Sequence, residues 1–306
     1  ALNIQLKEDK KNIVFGDVEL GAGPEERYLG HANAFYYGPK TNINLIADAN
    51  NIGKPALSIR DLFRFSGGLN SFSSKSGSSI GISSSSLGIP MAERNNAISL
   101  DNKLGALNYN FSPSNSWRIS GFAIGSQVDN TLGSISQRTY ILQPGDNEEI
   151  LASETNVRST AGIARLGVEY VPNPNLQIDY SGLARISQLD NSSEQRSAFR
   201  GVTNEITGTN SQRPVSIAQQ LRGFWSATDT DIFSFEGSFN YDFQDPLFNL
   251  LTTEQPFSAL VPITGTSPYN LLQFKEITTT NQEAAINYYR VLNKTNHINF
   301  RLGNAY

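Results

Sequence analysis

The sequence predicts an all-β chain, a transmembrane antiparallel β-barrel with about eleven strands, from three observations. Polar and apolar residues alternate with period two over runs of about 10–14 residues. Short and long connections alternate between those runs. The composition is poor in apolar and in charged residues alike: of 306 residues, 38% are hydrophobic, 17% charged and 10% aromatic. Disordered chains pair low hydrophobicity with high charge and few aromatics, which does not fit. A wall with one apolar face and one wet, weakly charged face does fit.

The alternation is clearest in DIFSFEGSFNYDF, 231–243. Phe233, Phe235, Phe239, Tyr241 and Phe243 share one phase with Gly237, and Ser234, Glu236, Ser238, Asn240 and Asp242 share the other. NLQIDYSGLARI, 175–186, sets Leu176, Ile178, Tyr180, Ala184 and Ile186 against Gln177, Asp179, Ser181 and Arg185. TAGIARLGVEY, 160–170, sets Leu166 and Val168 against Arg165 and Glu169. TNINLIADAN, 41–50, sets Ile43, Leu45 and Ala47 against Asn42, Asn44 and Asp48. A soluble sandwich also alternates, but its strands run about 5–6 residues.

Turn residues punctuate these runs at YGPKT (37–41), SPSN (112–115), PNPN (172–175), ATDT (227–230) and NKTN (293–296). Longer polar segments lie between them, near 53–96, 129–158, 189–214 and 244–279. GAGPEER, 21–27, is a short connection in a long-loop place. The predicted strands centre on 12–21, 27–37, 41–51, 97–111, 116–128, 158–171, 175–188, 214–226, 230–243, 280–291 and 296–306. Aromatics gather beside the short turns: Tyr36, Tyr37, Tyr109, Phe111, Trp117, Tyr170, Trp225, Phe233, Tyr288 and Tyr289. An interfacial girdle is favoured over ordinary cross-strand packing.

The two phases assign faces. Val18, Leu45, Leu107, Leu166, Ile178, Phe235 and Phe239 are expected to face lipid. Asp17, Glu19, Asp48, Arg165, Glu169, Asp179, Arg185 and Glu236 are expected to face the lumen.

Catalytic and cofactor signatures are missing. The sequence has no cysteine and two histidines, His31 and His297, with no H-E-x-x-H spacing. His31 reads as a hydrated lumen residue before it reads as a ligand. There is no Walker A segment and no G-x-S-x-G elbow. GAG at 21–23 lacks the third glycine of a dinucleotide loop. Asp229 and Asp231 read as a solvated turn pair, and Asp17 with Glu19 as hydrated wall. No enzyme, cofactor or metal is expected. A net charge of −4 without basic runs argues against nucleic acid. No apolar run reaches the ~18 residues of a membrane helix.

The opening LNIQLKEDKKNIVFGDVELGAGPEERYLGHANAFYYGPKTNINLIADANNIG resembles the plug-to-barrel junction of TonB-dependent outer-membrane receptors of the Bacteroidetes type. The resemblance rests on LNIQLKEDKK, on FGDVELGAG from Phe15 to Gly23, on Arg27, Tyr28 and Gly30, on Ala49 to Ile52, and on SGGL at 66–69. It covers about the first 70 residues; beyond them only the general pattern remains. It implies that 1–10 is the last strand of a plug and 11–306 the N-terminal part of a barrel. The whole barrel would have about 22 strands, of which about eleven lie here. The ending INFRLGNAY, with Tyr306 in phase with Ile298, Phe300 and Leu302, also fits the closing strand of a small complete barrel.

The resemblance further implies the bacterial outer membrane, contact with lipid and lipopolysaccharide, and TonB acting through the preceding N-terminal region. The function expected is uptake of a substrate too large for porins. The alternative is a barrel subunit with a structural role in a larger assembly. Two loops bear on partners. The serine-rich stretch 73–88 reads as a flexible outer loop. The segment 247–274 is unusually apolar, and either packs on its own rim or binds a ligand or surface lipoprotein.

Overall fold

In the computed structural model, residues 12–54, 96–141, 148–256, 265–293 and 295–306 are described. They form a single antiparallel sheet. Its elements are β1 (Ile13–Ala22), β2 (Tyr28–Tyr37), β3 (Thr41–Asn50), β4 (Ala97–Ser114), β5 (Trp117–Thr139), β6 (Glu148–Asn173) and β7 (Leu176–Phe199). They continue with β8 (Val202–Gln212), β9 (Val215–Ser226), β10 (Asp231–Gln244), β11 (Leu247–Thr252), β12 (Tyr269–Phe274), β13 (Ile277–Val291) and β14 (His297–Ala305). No helix occurs among the described residues.

The hydrogen-bonded path runs β1-β2-β3-β4-β5-β6-β7-β9-β10-β13-β14. These are the eleven runs that the alternation predicts. The remaining three elements prolong the same path. β8 pairs with the upper half of β7 and β9 with the lower half, so β8 and β9 are one strand interrupted at Arg213–Pro214. β10 and β11 are likewise one strand interrupted at Asp245–Pro246. β12 and β13 form a third, interrupted at Lys275–Glu276. Proline donates no hydrogen bond, so it stops a ladder without shifting register. The sheet is open: among the described residues β1 pairs only with β2 and β14 only with β13.

The five short turns all fall at one end of the sheet. The opposite end differs from expectation. The predicted loop 129–158 is mostly strand, because β5 extends to Thr139 and β6 starts at Glu148. The predicted loop 189–214 is a hairpin. Its two-residue turn, Arg200 and Gly201, has φ of 51° and 78°, the left-handed pair of a type I′ turn. The predicted loop 244–279 contains β11 and β12. The reason is visible in β7 beyond Leu189. Asn191, Ser193, Gln195 and Ser197 occupy one face, and Asp190, Ser192, Glu194 and Arg196 the other. A strand with water on both sides needs no apolar phase, so the alternation signal vanishes while the ladder continues. The expected plug strand at 1–10, SGGL at 66–69 and the serine-rich stretch 73–88 lie outside the described residues.

Burial in this sheet is inverted relative to a soluble protein. On β3, Asn44, Asp48 and Asn50 are 3%, 4% and 0% exposed, whereas Leu45 is 49% exposed. Val18 on β1 is 69% exposed. On β3 the polar Asn44, Asp48 and Asn50 thus lie on the covered face, together with Ile46, and Leu45 lies on the open face.

Candidate functional site

The covered face is continuous across all eleven strands. Followed through the pairing, one row reads Phe35, Asn44, Asn108, Phe122, Arg165, Leu183, Ala218, Asn240 and Asn281. The next row on the same face reads Asn33, Ile46, Ala106, Ile124, Ile163, Arg185, Ser216, Asp242 and Thr279. All eight residues expected in the lumen fall on this face. Asp17, Glu19 and Asp48 sit on β1 and β3, Arg165 and Glu169 on β6, Asp179 and Arg185 on β7, and Glu236 on β10. All seven expected at lipid fall on the opposite face. Leu45 faces Leu107 across β3 and β4, Leu166 faces Gly182, Ile178 faces Gly223, and Phe235 faces Gly223 and Ile286. Val18 faces Ala32, and Phe239 faces Gln219.

Two charged groups on the covered face are held by hydrogen bonds or by cross-strand pairing. Near the far end of β1–β3, His31 Nδ1 lies 2.9 Å from Asp48 Oδ2, with the Asp48 side chain 1% exposed. Asn50 Nδ2 donates to Asp48 Oδ1 at 2.7 Å and to the Lys54 carbonyl at 3.0 Å. Asn50 Oδ1 accepts from the Lys54 N–H at 3.1 Å, so the buried amide holds the chain where it leaves β3. Lys54 Nζ then reaches Glu19 at 2.5 Å. Toward the short turns a row of charges crosses five strands: Arg118, Glu169, Asp179, Arg222 and Glu236 face one another in succession. Arg118 and Glu169 pair at 2.9 Å. His31 is therefore a structural partner of Asp48 rather than a hydrated side chain, and the described residues contain no cluster able to hold a metal ion.

Two features of this face are not expected. Asparagines oppose one another on β3 and β4, as Asn42 with Asn110, Asn44 with Asn108 and Asn50 with Asn102. TNINLIADAN already places Asn42, Asn44 and Asn50 in one phase, which is the signal that could have found them. The face also carries an apolar strip of Ile46, Leu104, Ala106, Phe122, Ile124 and Ile163, each at most 7% exposed. The wall is thus not uniformly polar.

The open face is bounded at the short-turn end by aromatics. Trp117 packs against Tyr170 with the rings tilted and their centroids 4.3 Å apart. Trp225, Phe233, Tyr288 and Phe300 form a chain with successive centroid distances of 5.5, 5.0 and 6.3 Å. Tyr36 and Tyr109 share this face, each opposite Ile43. Tyr37 and Tyr289 have the other phase, opposite Asn42 and Asn299. Asp231 is not a solvated turn carboxylate: it accepts from Thr228 Oγ1 at 2.6 Å and from Tyr288 Oη at 2.6 Å, and it pairs with Arg290. From Phe233 to Phe243 the open face is apolar or glycine for about ten residues, which at ~3.3 Å rise and ~40° tilt spans ~25 Å. Beyond that band come Gln127, Asp129, Arg158, Gln188 and Asp190. Arg158 Nε pairs with Asp129 Oδ1 at 2.5 Å.

The segment 247–274 does not pack on the rim where it is described. Leu247, Leu251, Leu272 and Phe274 are 40%, 40%, 69% and 62% exposed on the open face of β11 and β12, beyond the apolar band.

No protein-family model and no curated protein matches the chain. Solved structures do. A structure of the RagAB peptide transporter aligns with a TM-score of 0.45 and 10% identity, over 91% of this chain and 32% of that one. The ferric-catecholate import receptor Fiu from E. coli K12 aligns at 0.39 and 12%, over 95% of this chain and 49% of that one. The copper transporter OprC aligns at 0.26 and 8%, over 98% and 47%. The chain thus spans about a third to a half of the length of these structures. At these scores the likeness implies neither a shared substrate nor a shared partner.

Proposed function

We propose that this chain forms part of the wall of a bacterial outer-membrane β-barrel, and that the barrel takes up a solute too large for porins. The observation that carries the reading is the inversion of the two faces: buried Asn44, Asp48 and Asn50 against exposed Val18 and Leu45. In water an open apolar face of this extent is an aggregation surface. In a bilayer it is the surface lipid requires, and an aromatic border at one end with charges at the other bounds a band of membrane thickness.

The wall needs more strands than these eleven. Each backbone N–H or C=O left unpaired in hydrocarbon costs several kcal/mol, so the edges of β1 and β14, unpaired among the described residues, need partner strands there. We take residues 11–306 as the N-terminal part of the barrel and 1–10 as the last strand of a plug. Substrate binding at outer loops would be followed by TonB pulling on the plug through the preceding region. The polar face and its charged rows then line the path, with no covalent chemistry.

The exposed patch of Leu247, Leu251, Leu272 and Phe274 supports a second reading, a barrel that holds a surface lipoprotein in a larger assembly. The deciding experiment is uptake by cells carrying the full gene, with TonB present or removed. Energy-dependent uptake that stops without TonB supports transport. A stable complex with a lipoprotein and no TonB-dependent uptake supports the second reading.

A further inference from the structure

Beyond the apolar band, two rows of open-face side chains bound a cavity on the outward wall. The lower row runs Asp101, Asp129, Arg158, Asp190 and Ser211 across β4–β8. The upper row runs Ser99, Thr131, Asn156, Ser192 and Thr209 across the same strands. Between them lies a cavity of about 690 Å³. Asn130, Val157, Asn191 and Asn210, which alternate with these rows, turn their side chains to the covered face and leave backbone as its floor. Ligand clefts have volumes of about 300–1,000 Å³.

The lower row is built to accept hydrogen bonds. Asp129 Oδ1 accepts from Arg158 Nε at 2.5 Å and Oδ2 from Gln127 Nε2 at 2.7 Å. Asp190 Oδ1 accepts from Ser211 Oγ at 2.7 Å and Oδ2 from Gln188 Nε2 at 2.7 Å. Asp101 Oδ2 accepts from Tyr28 Oη at 2.7 Å. A carboxylate oxygen can take two donors, so each of these groups is fixed in place with acceptor capacity left over. Donors stand beside them. The Arg158 side chain is 68% exposed and bonds the wall through Nε. Thr131 Oγ1 donates to Asn156 Oδ1 at 2.8 Å, which leaves the Asn156 amide N–H groups to a ligand. Neither row contains an apolar side chain. Three carboxylates against Arg27 and Arg158 at the lining disfavour an anion.

The height of the cavity narrows the choice. Asp190 lies four residues beyond Ile186, the last apolar residue in the open phase of β7. At ~3.3 Å rise and ~40° tilt that is about 10 Å above the apolar edge. The polar layer of a phospholipid leaflet is about 5–8 Å deep. A phospholipid headgroup therefore stops short of the cavity, whereas a lipid carrying sugar rings reaches it.

We propose that this cavity binds the uncharged saccharide headgroup of a glycolipid in the surrounding leaflet. Sugar hydroxyls donate to Asp129 and Asp190 and accept from Arg158 and Asn156. The site holds a lipid and is separate from the solute path on the covered face. It goes beyond the uptake reading and rests on that reading's assignment of the open face to lipid.

The test uses the protein expressed from the full gene and purified in a sugar-free detergent. Native mass spectrometry follows retention of digalactosyl diacylglycerol as the probe. Retention is expected, with none of diacylglycerol or phosphatidylglycerol. Asp190→Ala should weaken it by about tenfold, the loss of one charge-assisted contact. Asp190→Asn, which keeps an acceptor, should lose less, and Lys40→Gln at the opposite end of the sheet should change nothing. Heat-modifiable mobility first checks that each variant folds. Equal retention of diacylglycerol, or retention undiminished in Asp190→Ala, would overturn the proposal. So would displacement of the glycolipid by an equal concentration of free digalactose, which would place the source of the sugar in solution. Phe235→Cys separates this failure from that of the wall reading. Labelling of that cysteine only by a lipid-soluble reagent, without glycolipid retention, removes the saccharide site and leaves the wall. Labelling from water removes both.

Discussion

Pro214 and Pro246 interrupt neighbouring strands at the same level of the sheet. Both still accept through their carbonyls, Pro214 from the Ser187 N–H and Pro246 from the Lys275 N–H, each at 3.1 Å. Only their own N–H groups are missing from the ladder. The breaks fall just beyond the apolar band, while β5, β6 and β7 continue through that level for 23, 26 and 24 residues in all. The outer part of β8, β11 and β12 is therefore tied to the barrel less firmly than the outer part of β5–β7. Hydrogen exchange should show lower protection in 202–212 and 247–252 than in 150–158. Replacing both prolines by threonine should narrow that difference; equal protection in the unaltered chain would count against it.

Phe235 and Glu236 are adjacent on β10 and point to opposite faces. Phe235→Arg should cost about 2–4 kcal/mol of folding free energy in a bilayer if it lies near the midplane. Glu236→Arg should be far milder. Urea titration of the chain refolded into lipid vesicles gives both values, and similar costs would contradict the face assignment.

Asn50 is fully buried and binds both backbone groups of Lys54 as well as Asp48. Asn50→Ala leaves those groups without their partner and should cost about 1–3 kcal/mol. Arg118→Gln breaks an ion pair whose arginine is 63% exposed and should cost less than about 1 kcal/mol. The same titration ranks the two; a larger loss at Arg118 would be inconsistent with this ordering.

Glu149 lies in the part of β6 beyond the apolar band. Hydrogen bonds from Tyr140 and then Ser197 hold its carboxyl below the ordinary value. A depressed folded-state pKa contributes stability above the unfolded value, about 4.3, and loses it as pH falls through the folded value. The strand ends at 137–141 and 148–150 should therefore exchange their amides faster on acidification, after correction for intrinsic rates, and Tyr140→Phe should weaken that pH dependence. A pH dependence unchanged in Tyr140→Phe would show that this contact does not set it.

The strands of the apolar band were legible because within it every second residue on β3, β7 and β10 is apolar or small, and the sequence shows that phase directly. The register followed, since the turns between β2 and β3 and between β9 and β10 are short enough to fix it. The outer extension was not legible. Residues 189–199 are polar in both phases, and only the Arg200–Gly201 turn betrays the hairpin. The site was legible as a face, not as chemistry. Asp48 and Arg185 could be placed on the covered face from their phase alone. That Asn50 would bind the backbone of Lys54 where the chain leaves β3 depends on a loop contact that period two cannot supply.

The inversion of faces is tested most directly by cysteines at Phe235 and Glu236, which share a strand and a depth but not a side. In the chain refolded into lipid vesicles, Glu236→Cys should react with a hydrophilic, membrane-impermeant thiol reagent. Phe235→Cys should react only with a lipid-soluble one. The reverse pattern, with Phe235→Cys labelled from water and Glu236→Cys from lipid, would contradict the account.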